Sequence, residues 1–164
     1  MNSEKTRFKL AGTVSIIFVL FLLSGFFYIG TPFKTSEAFK TLSGDTRLII
    51  GITHVVLGDN EDKNTAFWEN ADAVIASLPN QHGYLGHKIR KKLFSNDAWT
   101  MTIWESSTSL NSFVNGEVHS TAIGYGLPAV KEARFVRFTA LKSDIPLSWK
   151  TVEEEMQKNG RKLY

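Results

Sequence analysis

The sequence contains no cysteine. That removes disulfide bridges, a thiol nucleophile and every cysteine-based metal cage, and it leaves the compartment open. No glycine-rich phosphate loop, no G-x-S-x-G and no H-E-x-x-H occurs, so nucleotide and hydrolase chemistry have no residues to carry them. Concentrated charge is also missing: the formal net charge is +3, and Lys5, Arg7 and Lys9 against Glu4 supply most of it. The one basic run, His87 to Lys92, alternates as a strand would and reads as a solvated face. No nucleic-acid partner is expected.

Charge is absent altogether from Leu10 to Ile29. At about 1.5 Å per helical residue this run spans roughly 30 Å, the thickness of a hydrocarbon core. A cleavable signal peptide has an apolar centre of only about 7–15 residues before a small-x-small site. This run is longer and ends in FFYIG without such a site. Residues 10–30 are therefore expected to be an uncleaved transmembrane signal anchor, with Phe26, Phe27 and Tyr28 at the interface. The basic residues before it place residues 1–9 in the cytoplasm and the soluble part outside. Residues 31–46, with Pro, Gly, Ser and Thr, are expected to be a linker holding at most a helical turn near Glu37 to Leu42.

From Arg47 the pattern becomes regular. RLIIGITHVVL, Arg47 to Leu57, reads as a strand buried on both faces. A helix follows, with Phe67, Ala71, Val74, Ile75 and Leu78 on one stripe, ended by Pro79-Asn80. A second strand, about Gly83 to Phe94, alternates Leu85, His87 and Ile89 with Gly86, Lys88 and Arg90. After a tight turn at Ser95-Asn96-Asp97 the third strand puts Trp99, Met101 and Ile103 opposite Trp104. Ser106 or Ser107 caps a helix with Leu110, Phe113 and Val114 on its apolar stripe, and a second short helix after Gly116 carries His119. Ala133 to Leu141 is the fourth strand.

The order β-α-β-β-α-β over residues 47–141 is the ferredoxin-like, α+β arrangement. Two helices on one face leave the other face of the sheet bare, so a second copy of the chain is expected to cover it as a homodimer. Residues 142–164 form an extension with a short helix capped by Ser148, fastened by Ile145, Leu147, Trp149 and Val152 over an open edge or pocket mouth.

The strand AWTMTIWE followed by SSTSLNSFVNGEVH resembles the central motif of antibiotic-biosynthesis-monooxygenase domains, the dimeric α+β barrels. Trp104, Glu105, Ser106 and His119 match it, and QHGYLGHKI resembles that family's second strand. The resemblance implies a cavity between sheet and helices that holds a small apolar or aromatic molecule, and oxygenation without metal or flavin. Relatives that degrade haem carry a helix tryptophan and an iron-ligating histidine. Here those positions fall on Phe113 and near Ile123, with His119 one turn earlier, and only His54 or Thr53 stands where a first-strand asparagine belongs. Haem binding is thus a minor expectation, and no other cofactor is expected.

His119 is the candidate catalytic residue, as a base or substrate-orienting group, against a plain packing role. Trp104, Phe113, His87 and His54 are the candidate ligand-binding residues. His87 interrupts an apolar face, so either a pocket or the solvent must satisfy its ring. No second histidine stands at helical spacing from His119, and no metal site is expected. Two functions remain open: a membrane-anchored, cofactor-independent monooxygenase, and a non-catalytic module binding a ligand or an envelope protein.

Overall fold

The computed structural model describes residues 28–163 apart from Phe94. Its centre is an antiparallel sheet of four long strands: β3 (Arg47–Leu57), β4 (Tyr84–Lys92), β5 (Asp97–Trp104) and β6 (Val130–Leu141). They lie in the spatial order β4-β5-β3-β6, as the β-α-β-β-α-β reading requires. Between β3 and β4 runs α2 (Glu61–Ser77), started by the Asn60 side chain, which accepts from the Lys63 N–H. Between β5 and β6 come α3 (Ser107–Val114) and α4 (Glu117–Gly126). Ser106 caps α3 by accepting from the Ser109 N–H, and Gly116 separates the two helices.

Strand pleating sorts the core into two clusters, one on each face of the sheet. On the α2–α4 side lie Leu78, Tyr84, Trp104, Leu110 and Phe113. On the opposite side lie Leu48, Ile50 and Ile52 of β3, Trp99, Met101 and Ile103 of β5, and Val136 of β6. This second face is where the structure departs most from the sequence reading. It is not bare. The C-terminal helix α5 (Trp149–Asn159) lies over it, with Val152 and Met156 buried, and Leu147 ahead of the helix joins the same cluster. This face of the sheet, expected to be bare until a twin covered it, is covered by the chain's own C-terminal helix.

The stretch 31–46 is not a tether. β1 (Tyr28–Gly30) and β2 (Lys34–Thr35) both pair antiparallel with β4, and α1 (Glu37–Thr41) buries Phe39 in the core under α5. The strap is hydrogen-bonded along its length: Thr31 N–H to the Ile89 carbonyl at 2.9 Å, and Ser36 N–H to the Leu85 carbonyl at 2.9 Å. Gly86 permits this approach, since a Cβ there would stand 2.7 Å from the Lys34 carbonyl oxygen. The expected span 10–30 is corrected at its end, because Tyr28–Gly30 is sheet; residues 10–27 lie outside the described part. Among the described residues no helix is long and apolar enough to cross a membrane.

The basic run is solvated only in part: Lys91 is exposed, whereas His87 and Arg90 are not. Arg90 is buried, ion-paired with Glu153 of α5, and its guanidinium lies 4.1 Å from the Tyr28 ring and 4.4 Å from the Trp149 ring. This cation–π cage joins β1, β4 and α5.

Gly83, at the entry to β4, has φ +71 and faces Ser109 of α3; a Cβ would stand 2.2 Å from Ser109 Oγ. Gly83→Ala is expected to cost at least about 2 kcal/mol, the left-handed backbone and the steric clash acting together. Urea unfolding checks this, and a midpoint equal to that of the parent chain contradicts it.

Candidate functional site

β4 begins with an irregularity that decides what faces what. The register slips between Tyr84 and Gly86, so Tyr84 is opposite Trp104 and Gly86 is already opposite Ile103. The extra residue, Leu85, turns into the core under α5, whereas Tyr84 and His87 come together on the helix side. The regular alternation expected from sequence had placed Leu85 beside His87. The bulge instead puts the Tyr84 hydroxyl 2.6 Å from His87 Nδ1.

These two residues floor a cleft of about 590 Å³. One wall is the strap and α1, from Lys34 to Glu37. The other is the last turns of α2 and the residues after it: Asp72, Ile75, Ala76 and Pro79. The volume falls within the range of small-molecule sites, about 300–1,000 Å³. His87 is buried, and its Nε2 has no hydrogen-bond partner among the described residues. A buried polar atom left unpaired costs about 1–3 kcal/mol and calls for an explanation.

Burial, with the Lys34 ammonium nearby as a second cause, holds the His87 imidazolium below the ordinary histidine value, so the ring is neutral at pH 7. Burial raises the Tyr84 phenol to about 12, so Tyr84 keeps its proton. In the tautomer where Nδ1–H donates to the Tyr84 oxygen, Nε2 is left with a free lone pair.

From Tyr84 an aromatic row leads inward: Trp104 at 5.9 Å, then Phe113 at 5.0 Å from Trp104, then His119 at 4.9 Å from Phe113. The sequence therefore chose residues that the fold brings into one cluster, all but one. Trp104 has no exposure and Phe113 is buried, so both fill the space between sheet and helices and neither lines the cleft. His119 is half-buried at the far end of the row, its Nδ1 3.1 Å from the Val114 carbonyl oxygen, and it does not line the cleft. Burial depresses its basicity, against the hydrogen bond to Val114. The residues beside His119 do not fit haem: Phe113 packs on the ring, and Ile123, where the resemblance would put an iron ligand, is a solvent-exposed aliphatic chain.

His54 is the exception. It lies on the opposite face of the sheet, stacked on Trp99 with ring centroids 4.0 Å apart and Nε2 3.1 Å from Asp97 Oδ1. The same carboxylate oxygen accepts from the Trp99 indole N–H at 2.9 Å. His54 thus belongs with the core under α5 and is removed from the candidate ligand set. Tyr84 and Lys34 were missed. The signal for Tyr84 was the G-Y-x-G bracket, whose glycines allow both a left-handed entry and a close strand.

Because His87 and His119 are both easier to protonate in the unfolded chain, they stabilise the fold above about pH 6.5 and lose that contribution as pH falls. The melting temperature is expected to decline below about pH 6.5, and less steeply in His87→Phe. A parallel decline in the two proteins contradicts the assignment for His87.

No protein-family model matches the chain, and no curated protein matches it. Solved structures do match. A conserved protein of Methanosarcina mazei aligns with TM-score 0.51 and 11% identity, over 58% of this chain and 94% of its own. A Fusobacterium nucleatum protein named as a candidate monooxygenase aligns with TM-score 0.53 and 10% identity, over 70% of this chain and 48% of its own. The domain has the ferredoxin-like fold. SnoaB, a cofactor-independent oxygenase of Streptomyces nogalater, aligns more loosely, at TM-score 0.47 and 14% identity, over 58% of this chain and 93% of its own. The chain spans about half the length of the Fusobacterium protein and of another protein it matches. At such identities the likeness establishes fold, and function has to be argued from the site.

Proposed function

We propose that the protein binds a small, largely apolar aromatic molecule in the His87–Tyr84 cleft and oxygenates it without a dedicated cofactor. One observation carries the reading: a buried, neutral imidazole, fixed at Nδ1 by Tyr84 and unpartnered at Nε2, floors a cleft of ligand size. A base so placed takes the proton of a phenol or quinol hydroxyl. The resulting phenolate is electron-rich at its ring carbon and is itself the reductant of dioxygen. One oxygen atom becomes the new carbonyl of a quinone; the other leaves as water with two hydrogens lost from the substrate. The monooxygenase-named protein sharing this fold supports the reading at that level only. The test is an oxygen electrode with a panel of phenols and quinols. One O₂ consumed per quinone formed supports it; no uptake with any of them removes it.

A second reading, a non-catalytic binding module, draws on α4. Val118, Ile123 and Tyr125 of that helix and the adjoining Leu127 are exposed, and residues 118–130 carry no charge. An apolar surface of this kind marks an association site, and our reading moves the expected homodimer from the sheet to this helix. We also keep the run 10–27 as a membrane anchor with the domain outside the cytoplasm, supported by the basic residues before it. A C-terminal alkaline phosphatase fusion active in bacterial cells is the expected result, and an inactive fusion reverses the orientation.

A further inference from the structure

The charges around the cleft are of both signs. Three charged side chains line it: Lys34, Glu37 and Asp72. Glu37 is already answered, since Lys40 Nζ stands 2.6 Å from its carboxylate. Asp72 stands on the opposite wall, on α2. Neither Asp72 nor Lys34 makes an ion pair among the described residues, and of the two it is Lys34 that stands beside His87.

Its position is set by the strap. Lys34 is the direct antiparallel partner of His87. Partners of this kind project to the same side of a sheet, with Cβ atoms about 4.5–5.5 Å apart. The unanswered ammonium and the buried imidazole therefore share one end of the cleft, and the apolar wall of Ile75, Ala76 and Pro79 faces them.

We infer that the cleft selects an anion: a flat aromatic body carrying a carboxylate, with the acid group on Lys34 Nζ and the rings against Ile75, Ala76 and Pro79. The inference rests on the cleft being the ligand site and adds the substrate class, a hydroxylated aromatic acid. A neutral imidazole suits such a ligand, because it can meet the hydroxyl of an anionic molecule without adding a second negative charge. The fixed ammonium supplies the counter-charge.

Calorimetric titration of the purified full chain tests this with three probes of one ring system: 1-naphthoate, neutral 1-naphthamide and cationic 1-naphthylmethylammonium. Naphthoate is expected to bind about 2–5-fold more tightly than naphthamide, the worth of one exposed ion pair. Lys34→Gln abolishes that preference, and Lys34→Glu transfers it to the cation. Ala76→Trp, which fills the cleft from an exposed position on α2, blocks naphthoate binding. Equal binding of all three probes to the parent chain, or a preference that survives Lys34→Gln, overturns the inference while leaving a ligand site. Absence of binding by every probe, or naphthoate binding unchanged by Ala76→Trp, overturns the site together with it.

Discussion

Exchanging His87 for phenylalanine is expected to lower kcat/KM for oxygen-dependent quinone formation by about 10²–10⁴-fold, the usual worth of a placed general base. Phenylalanine keeps the ring volume against Tyr84 and removes both nitrogens, so chemistry is tested with little change in packing. His119→Phe should leave the rate within a few-fold, because His119 sits at the other end of the aromatic row and does not reach the cleft. An oxygen electrode and the quinone absorbance measure both variants. The acid limb of the parent profile should fall below the ordinary histidine value of about 6.5, since burial and Lys34 hold His87 neutral. Rates that survive in His87→Phe and collapse in His119→Phe would return the catalytic role to His119.

Deleting residues 145–164 is expected to end cooperative folding. The segment contributes Leu147, Val152 and Met156 to the larger core cluster, and its loss bares Ile50, Ile52, Met101 and Ile103, which have no exposure in the intact chain. It also takes Glu153 from the buried Arg90. Each buried aliphatic side chain removed costs about 2–5 kcal/mol, and a domain of this size holds about 5–15 kcal/mol in all. The milder variant Met156→Ala should lower unfolding free energy by about 2–5 kcal/mol with its urea dependence unchanged. Dye binding and urea unfolding check both. A truncated chain that melts as the parent does, without new apolar surface, would mean that α5 merely rests on the sheet.

Much of this architecture was legible because local signals agreed with the tertiary result. Trp99 and Trp104 alternate on β5 and do enter opposite clusters. Ser106 and Ser148 each precede a helix and each accept from the N–H three residues on. What was not legible depends on contacts distant in sequence. Period two along β4 presumes a regular ladder, and the Tyr84–Gly86 slip breaks it, so Tyr84 replaces Leu85 as the companion of His87. Pro, Gly and Ser made residues 31–46 look like a tether, although Phe33, Phe39 and Leu42 within it were apolar enough to dock. Arg90 looked solvated because nothing local announces Tyr28 and Trp149, the rings that enclose it. The bare sheet face was inferred from a four-stranded unit alone, before the weight of α5 could be judged.

The proposed function stands on His87 being an available, neutral base at a ligand site. Nitrogen-15 spectra of the histidine rings test it most directly, taken across pH and with 2-naphthol added. The expected result is a His87 midpoint below about 6.5 and a shift of its Nε2 resonance on adding the phenol, with His119 unmoved. A His87 ring that titrates at the ordinary value and ignores the phenol would contradict it.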